Sequence, residues 1–283
     1  MLLQELIEGI LRVPQEQLDK IDALYARAKK DIPSIVKQLH NVRSTPDLMS
    51  AFADYRDYFS LTKSDSGEQV PIDVKFLAQN DKQEASFGPM GGRLVVLINV
   101  AWLVKVTGED FRETIHHELV HANDPKSQLA MFNPTMSKYW QREYERGSVG
   151  PNLDIHAGMD KYLTSLHEFD AYTSASLSRL RRYIDAQSRE KQAKIRVELM
   201  KKIRGGWQAT PDDDIMDFLS GFGDIFKSEL GAVRAVPIEL TKLLDNANAA
   251  WKKTDTLEGR KQLRVRRNLF RTFLKRAYQT LIA

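Results

Sequence analysis

Apolar positions recur along this chain at two spacings, and the switch between them divides it. Over residues 15–30, behind Pro14, Leu18, Ile21, Leu24 and Tyr25 share one face at helical spacing. Shorter helical segments over 34–40, behind Pro33, and over 46–58, behind Thr45 as cap, complete a helical layer. Residues 63–68 read as a loop, after which the period falls to two: Ile72, Val74 and Phe76 alternate with charged or polar neighbours over 70–78. That pattern predicts a strand with one wet face. Residues 79–86 are turn material, and Gly88, Gly91 and Gly92 mark a glycine loop. The nearly continuous apolar run over 93–100 predicts a more buried strand.

Helical spacing then returns. Thr107 with Asp110 three residues on reads as an N-cap, Phe111, Ile115, Leu119 and Ala122 form an apolar stripe, and Pro125 ends the pattern after about four turns. Beyond it, helices are expected over 134–146, from 161–172 on to about 186, over 190–203 with a break at Gly205 and Gly206, and over 215–226, 237–251 and 251–283. The expected fold class is α+β, predominantly helical. It is read as an N-terminal helical layer (1–62), a core with a small sheet (63–186) and a C-terminal helical region (187–283).

The capped helix carries the chemistry. His117-Glu118-Leu119-Val120-His121 is an HExxH pattern, and at 3.6 residues per turn it stacks the two histidines on one face with Glu118 beside them. Two neutral imidazoles four apart grip one Zn²⁺, and the adjacent carboxylate then stands near water at that metal, ready to act as general base. The plainer alternative is a buried helix whose histidines hydrogen-bond in the core. The chain has no cysteine, so the expected zinc, one per chain, depends on His and carboxylate alone.

Composition narrows the setting. Forty-two Lys and Arg against thirty-eight Asp and Glu leave a net charge of +4 over 283 residues, which by itself does not call for a polyanionic partner. The distribution does more: residues 251–283 hold ten Lys or Arg against Asp255 and Glu258, so the remainder is net acidic. With Leu263, Leu269, Phe270, Phe273, Leu274 and Tyr278 on an apolar face, this last segment predicts a basic amphipathic helix. It reads as a helix docked on the protein with its charge solvated, or as a contact for an anionic partner: nucleic acid, protein or membrane. The first residues carry Glu5 and Glu8 without a basic n-region, so no secretory signal is expected. Nor is a transmembrane segment, and a cytoplasmic protein is the expectation.

The HExxH helix preceded by a strand pair resembles the zincin metallopeptidases, with Thr114, Ile115, His117, Glu118, Leu119, Val120, His121 and Ala122 matching their pattern. Asn123 departs from it, since a hydrophobic residue is common there. Asp124 and Ser127 stand where the metzincin branch has Gly and a third His, which excludes that branch. The resemblance implies a zincin-like catalytic core, a protein or peptide substrate and endopeptidase chemistry. In such enzymes the strand leading toward the metal helix lies at the cleft rim, where its free edge pairs with extended substrate. The gluzincin arrangement draws its third ligand from a second helix. Leu163, Leu166 and Phe169 make one stripe over 161–172, with Ser165, Glu168 and Tyr172 on another face, so Glu168 is the implied ligand; His156, Asp170, His167 and Asp124 are its rivals.

Tyr172 stands where gluzincins often carry an acidic residue, which leaves Asp124 or Asp170 to orient a histidine from behind. Tyr172, ahead of His156 and Tyr162, is the candidate donor to a developing oxyanion. HELVHANDPK with a later EFDAY also resembles uncharacterised peptidases encoded by tailed bacteriophages. A structural or assembly protein keeping the fold with little turnover, and a nucleic-acid-associated peptidase, are the alternative readings.

Overall fold

The computed structural model describes residues 13–63, 66–78, 84–124, 128, 166–208 and 257–282, with the side chains of 166–170, 207–208, 258–259 and 261–269 outside that description. These residues form an α+β structure that is mostly helical with a four-stranded sheet. The chain divides into two compact units, Met1–Glu143 and Tyr144–Ala283, a boundary that falls between the HExxH helix and the segment carrying Glu168. No helix among the described residues is long and apolar enough to cross a membrane.

The first unit opens with one long helix, α1 (Gln15–Leu39), where the sequence suggested two segments parted at Pro33. A proline inside a helix costs about 3 kcal/mol. Here Ile21, Leu24, Ala28 and Ile35 are buried on both sides of it, so packing carries the helix through. Ser44 rather than Thr45 caps α2 (Thr45–Ser50), its hydroxyl accepting the Asp47 N–H at 3.3 Å. This helix stops at Ser50 instead of running on to 58. Phe52 takes a left-handed conformation (φ 59°) that sets its ring edge-on to Phe76, 5.2 Å between centroids, and a 3₁₀ turn, Ala53–Tyr55, follows.

The sheet comprises β1 (Phe59–Thr62), β2 (Gln69–Leu77), β3 (Ala85–Met90) and β4 (Arg93–Asn99) in the order β1-β2-β4-β3. The central pair β2 and β4 is parallel, and each outer strand runs antiparallel to its neighbour. Two strands escaped the periodicity. β1 is only four residues long, and β3 contains Gly88 and Pro89, which read as turn residues but are tolerated in an outer strand. Gly91 and Gly92, both at positive φ, make the two-residue turn joining β3 to β4. A Cβ at Gly91 would lie 2.8 Å from Met49 Cγ, so that turn also closes against α2.

The predicted wet face of β2 is not wet. Burial is unbroken from Ile72 to Phe76, and Asp73 and Lys75 are fully buried along with the apolar residues. Both charges are met from elsewhere in the chain. Asp73 accepts Arg93 Nε at 2.8 Å and Nη2 at 2.9 Å and the Asp57 N–H at 3.0 Å, while Arg93 also pairs with Asp57. Lys75 Nζ donates to the Met49 and Ala51 carbonyls at 3.2 and 2.6 Å, serving as a cationic cap on the C-terminal end of α2. Burial pushes Asp73 upward, but the Arg93 and Asp57 hydrogen bonds with the Arg93 and Lys75 charges outweigh it and hold the carboxyl below its ordinary value. Burial pushes Lys75 down.

After β4, Asn99 Oδ1 accepts the Ala101 N–H at 3.0 Å and starts a short helix, α3 (Val100–Lys105), whose first residue the sequence reading placed in the strand. The HExxH helix is α4 (Gly108–Asn123), bounded as its capping residues predict.

The second unit contributes α5 (Leu166–Asp185), α6 (Arg189–Gln208) and α7 (Leu257–Leu281), with α7 packed on both of the others. Leu177, Leu180 and Ile184 of α5, Ile195, Leu199 and Ile203 of α6, and Phe270, Phe273, Leu274, Ala277 and Leu281 of α7 are buried. α6 runs through Gly205 and Gly206 instead of breaking there. Tyr278, expected on the apolar face, is half-buried. The segments 134–146, 147–152, 215–226 and 237–251 lie outside the described residues.

Two outcomes follow for the first unit. Lys75→Met leaves the half-buried Met49 and Ala51 carbonyls without this donor and is expected to cost about 1–3 kcal/mol in urea unfolding. Because the folded Asp73 lies below its unfolded value of about 3.9, its contribution is complete above that pH and is lost as pH falls through the folded value. Asp73→Asn should flatten the acid limb of the urea midpoint plotted against pH; an unchanged limb would assign the acid sensitivity to other groups.

Candidate metal centre

α4 is fixed at both ends and along its length. Thr107 Oγ1 accepts the Asp110 N–H at 3.2 Å and donates to the Asp110 carboxylate at 2.8 Å, closing the N-terminus. Gly108 lets the Tyr25 ring lie against the first turn, where a Cβ would stand 3.3 Å from it. Tyr25 also packs on Phe111 at 5.2 Å and donates to the Val106 carbonyl at 3.1 Å. Arg112 pairs with Asp22 of α1, and Thr114 donates to Glu84, just before β3, at 2.9 Å. At the far end, Gln128 Nε2 donates to both the Ala122 and Thr62 carbonyls at 3.1 Å, tying the last turn to β1.

The expected stripe of Phe111, Ile115, Leu119 and Ala122 is buried, and so are Arg112, His116, His117, Val120 and His121. On this helix His117 and His121 are 6 % and 9 % exposed, and their rings meet edge to face at 87° with centroids 4.5 Å apart. Their Nε2 atoms converge to 2.9 Å. Two nitrogens on a tetrahedral zinc at ~2.05 Å stand about 3.3 Å apart, so a few tenths of an ångström of ring rotation separates this pair from the edge of a metal tetrahedron. The same distance accommodates one Nε2–H···Nε2 hydrogen bond, the plainer alternative. Donor type, spacing and convergence thus fit two zinc ligands. Among the described residues no three His, Cys, Asp or Glu side chains gather as a metal-holding group.

Glu118 is half-buried in the same turn of α4. Asp124 is buried at the C-cap, its N–H donating to the His121 carbonyl at 3.3 Å, so its backbone is joined directly to the second histidine. Asn123, the departure from the zincin pattern, is half-buried and donates to the Leu119 carbonyl at 2.8 Å, closing the last turn where an apolar side chain is common.

The remaining candidates belong to the second unit. Glu168, His167 and Asp170 fall on the backbone of α5 with their side chains outside the description. Tyr172, one turn after Glu168, is half-buried. His156 and Tyr162 lie outside the described residues. The structure thus brings His117 and His121 together, with Glu118 on the same helix and Asp124 at its C-cap.

Periodicity missed three residues that shape this centre. Glu84 and Gln128 hold α4 to the sheet region, but their partners are 30 and 66 residues away, and no local signal carries such a pairing. His116 is a third buried histidine, on the adjacent side of the same turn. Comparison of the chain with protein-family models, with curated proteins and with solved structures finds no match in any of the three.

Proposed function

We propose that this chain is a zinc-dependent endopeptidase with His117 and His121 as metal ligands and Glu118 as general base. The observation that supports it most directly is the convergence of two buried imidazole nitrogens to 2.9 Å on a helix that also presents a half-buried glutamate. Glu168 is the third ligand in this reading, on the sequence resemblance alone.

Zinc bound there supplies a Lewis acid that brings the pKa of water toward about 7 and polarises a scissile carbonyl. Glu118 accepts the proton of the attacking water and delivers it to the leaving amine as the C–N bond breaks. Tyr172 is assigned as donor to the negative charge developing on the carbonyl oxygen, and Asp124 and Asp170 as carboxylates orienting the histidines through their other ring nitrogens.

The sheet supports a peptide substrate and corrects which strand would meet it. β4 leads toward the metal helix but is internal, between β2 and β3. β3 is the outer strand, packed against α4, and among the described residues it pairs with β4 alone. An extended substrate backbone pairing with β3 would run alongside the histidine helix. Pro89 offers no N–H there, so the register of such pairing is restricted.

The first test is metal content by elemental analysis of protein purified without chelator or metal-binding tag. About one zinc per chain is expected, lost in His121→Ala and in Glu168→Ala. Zinc retained in Glu168→Ala would move the third ligand to one of its rivals, and no zinc after reconstitution would leave α4 a scaffold. Added zinc should also raise the thermal midpoint of chelator-treated wild type, by the equivalent of about 2.7 kcal/mol at a hundredfold excess over Kd, and leave His117→Ala unmoved. In a peptide-library cleavage assay, Glu118→Gln should keep its zinc and lose about 10²–10⁴ in turnover. Turnover within a few-fold of wild type would remove Glu118 from the mechanism.

A further inference from the structure

The three described helices of the second unit carry eighteen Lys and Arg against six Asp and Glu, although the whole chain is only +4. All the excess positive charge of the protein, and more, is therefore collected in α5, α6 and α7. Within α7 the charge is ordered. Arg260, Arg264, Arg267, Arg271 and Lys275 follow one another at intervals of four, three, four and four residues, a single line along one face about 22 Å long. Arg260 and Arg271 are exposed and Lys275 is half-buried. Among the cations of α6, Arg189, Lys194, Lys201, Lys202 and Arg204 are exposed as well.

The six acidic residues of these helices offset a third of the eighteen cations in number. On α5, Asp185 is engaged by Arg181 at 3.4 Å and Arg196 at 2.9 Å, and on α6 Glu198 lies against Lys201 at 3.2 Å. α7 has one acidic residue, Glu258, at its start.

The apolar half of α7 decides which kind of anion such a surface fits. A basic amphipathic helix lies on a membrane by sinking its apolar face into the acyl boundary. Here Phe270, Phe273, Leu274, Ala277 and Leu281 are already buried in the helical layer, and Arg181 Nη1 donates to the Thr280 carbonyl at 2.9 Å, fastening α7 to α5. Among the described side chains of α7 that apolar face is therefore occupied, Leu257 at the start being the exposed large apolar residue, while the exposed Arg260 and Arg271 carry guanidinium groups whose planar donor fork suits phosphate oxygens.

We propose that the α7 stripe binds the phosphate backbone of a nucleic acid, by charge and without base readout. Five cations over about 22 Å match some six phosphates of one strand at 3.4 Å per residue of duplex. The α7 stripe shares no residue with the proposed metal centre, and the proposal does not rest on that reading.

The test uses the full chain and a fluorescein-labelled DNA duplex of about 25 base pairs, read by anisotropy across a salt titration beginning near 50 mM. The expected result is sequence-independent binding whose log affinity falls against log salt with a slope of about −4 or steeper. Arg264→Gln/Arg267→Gln/Arg271→Gln, with unchanged helical circular dichroism, should bind at least tenfold more weakly and reduce that slope by about 3. The matching triple Arg→Lys variant keeps the charge and should stay within a few-fold of wild type. Absence of binding near 50 mM salt, a folded glutamine variant that binds as wild type does, or binding to vesicles of about 30 % phosphatidylserine in place of DNA would each overturn the proposal.

Discussion

Two imidazoles four residues apart on one helix keep their mutual geometry however the helix turns, so the direction in which the converging nitrogens face depends on that helix being held against rotation about its axis. Most of the first unit bears on that condition. Rotation of α4 is opposed on one side by α1, through Tyr25 against Gly108 and Phe111 and through the Asp22–Arg112 pair. On another it is opposed by Thr114 bonded to Glu84 beside β3, and at its end by Gln128, which grips the last turn and β1 together. These anchors come from four separate stretches of chain, so the direction in which the histidine pair faces is a property of the packed unit, while the spacing within the pair belongs to the five-residue motif.

The sheet that anchors depend on is itself organised by buried charge. Asp73 and Lys75 lie in the middle of β2 at positions an apolar core would ordinarily take, and each is satisfied by a group brought from a different segment. Arg93 binds β4 to β2 through the carboxylate, while Lys75 pins the end of α2 beside the same strand. Unpaired, either charge would be costly to bury, so the two interactions favour the arrangement in which the 49–57 segment, β2 and β4 meet in register. This is conformational selectivity more than net stabilisation, since well-packed apolar residues would serve stability as well.

The same residues show where sequence reasoning reaches and where it stops. α4 was legible from end to end because its signals are local: a threonine cap, an acidic N3 residue, an apolar stripe at helical spacing. His117, Glu118 and His121 inherit their placement from that helix. β2 was legible as a strand but its polar positions were assigned to solvent, because alternation cannot distinguish a charge facing water from one facing Arg93 or the Met49 carbonyl. β3 was hidden by Gly88 and Pro89, whose turn character is overridden where a strand needs hydrogen bonds on one side only. Pro33 misled in the opposite sense, since buried side chains on both flanks hold α1 together across it. A third metal ligand is not readable from spacing at all, because nothing in the HExxH interval constrains which later carboxylate approaches.

The histidine pair also limits what the centre can hold. At 2.9 Å the space between the two Nε2 atoms admits one hydrogen-bonded proton, or, with the rings opened by a few tenths of an ångström, one metal ion. It does not admit both, because the lone pairs that would bind a metal are the ones that share the proton. Binding a metal there would exchange that hydrogen bond for coordination by both Nε2 atoms, the proton of the Nε2–H ring being carried on its Nδ1 instead. Burial sharpens the exchange: with both rings below a tenth exposed, water competes little for the inward nitrogens. For the two histidines, which already converge, little of any binding free energy would go to ordering the chain.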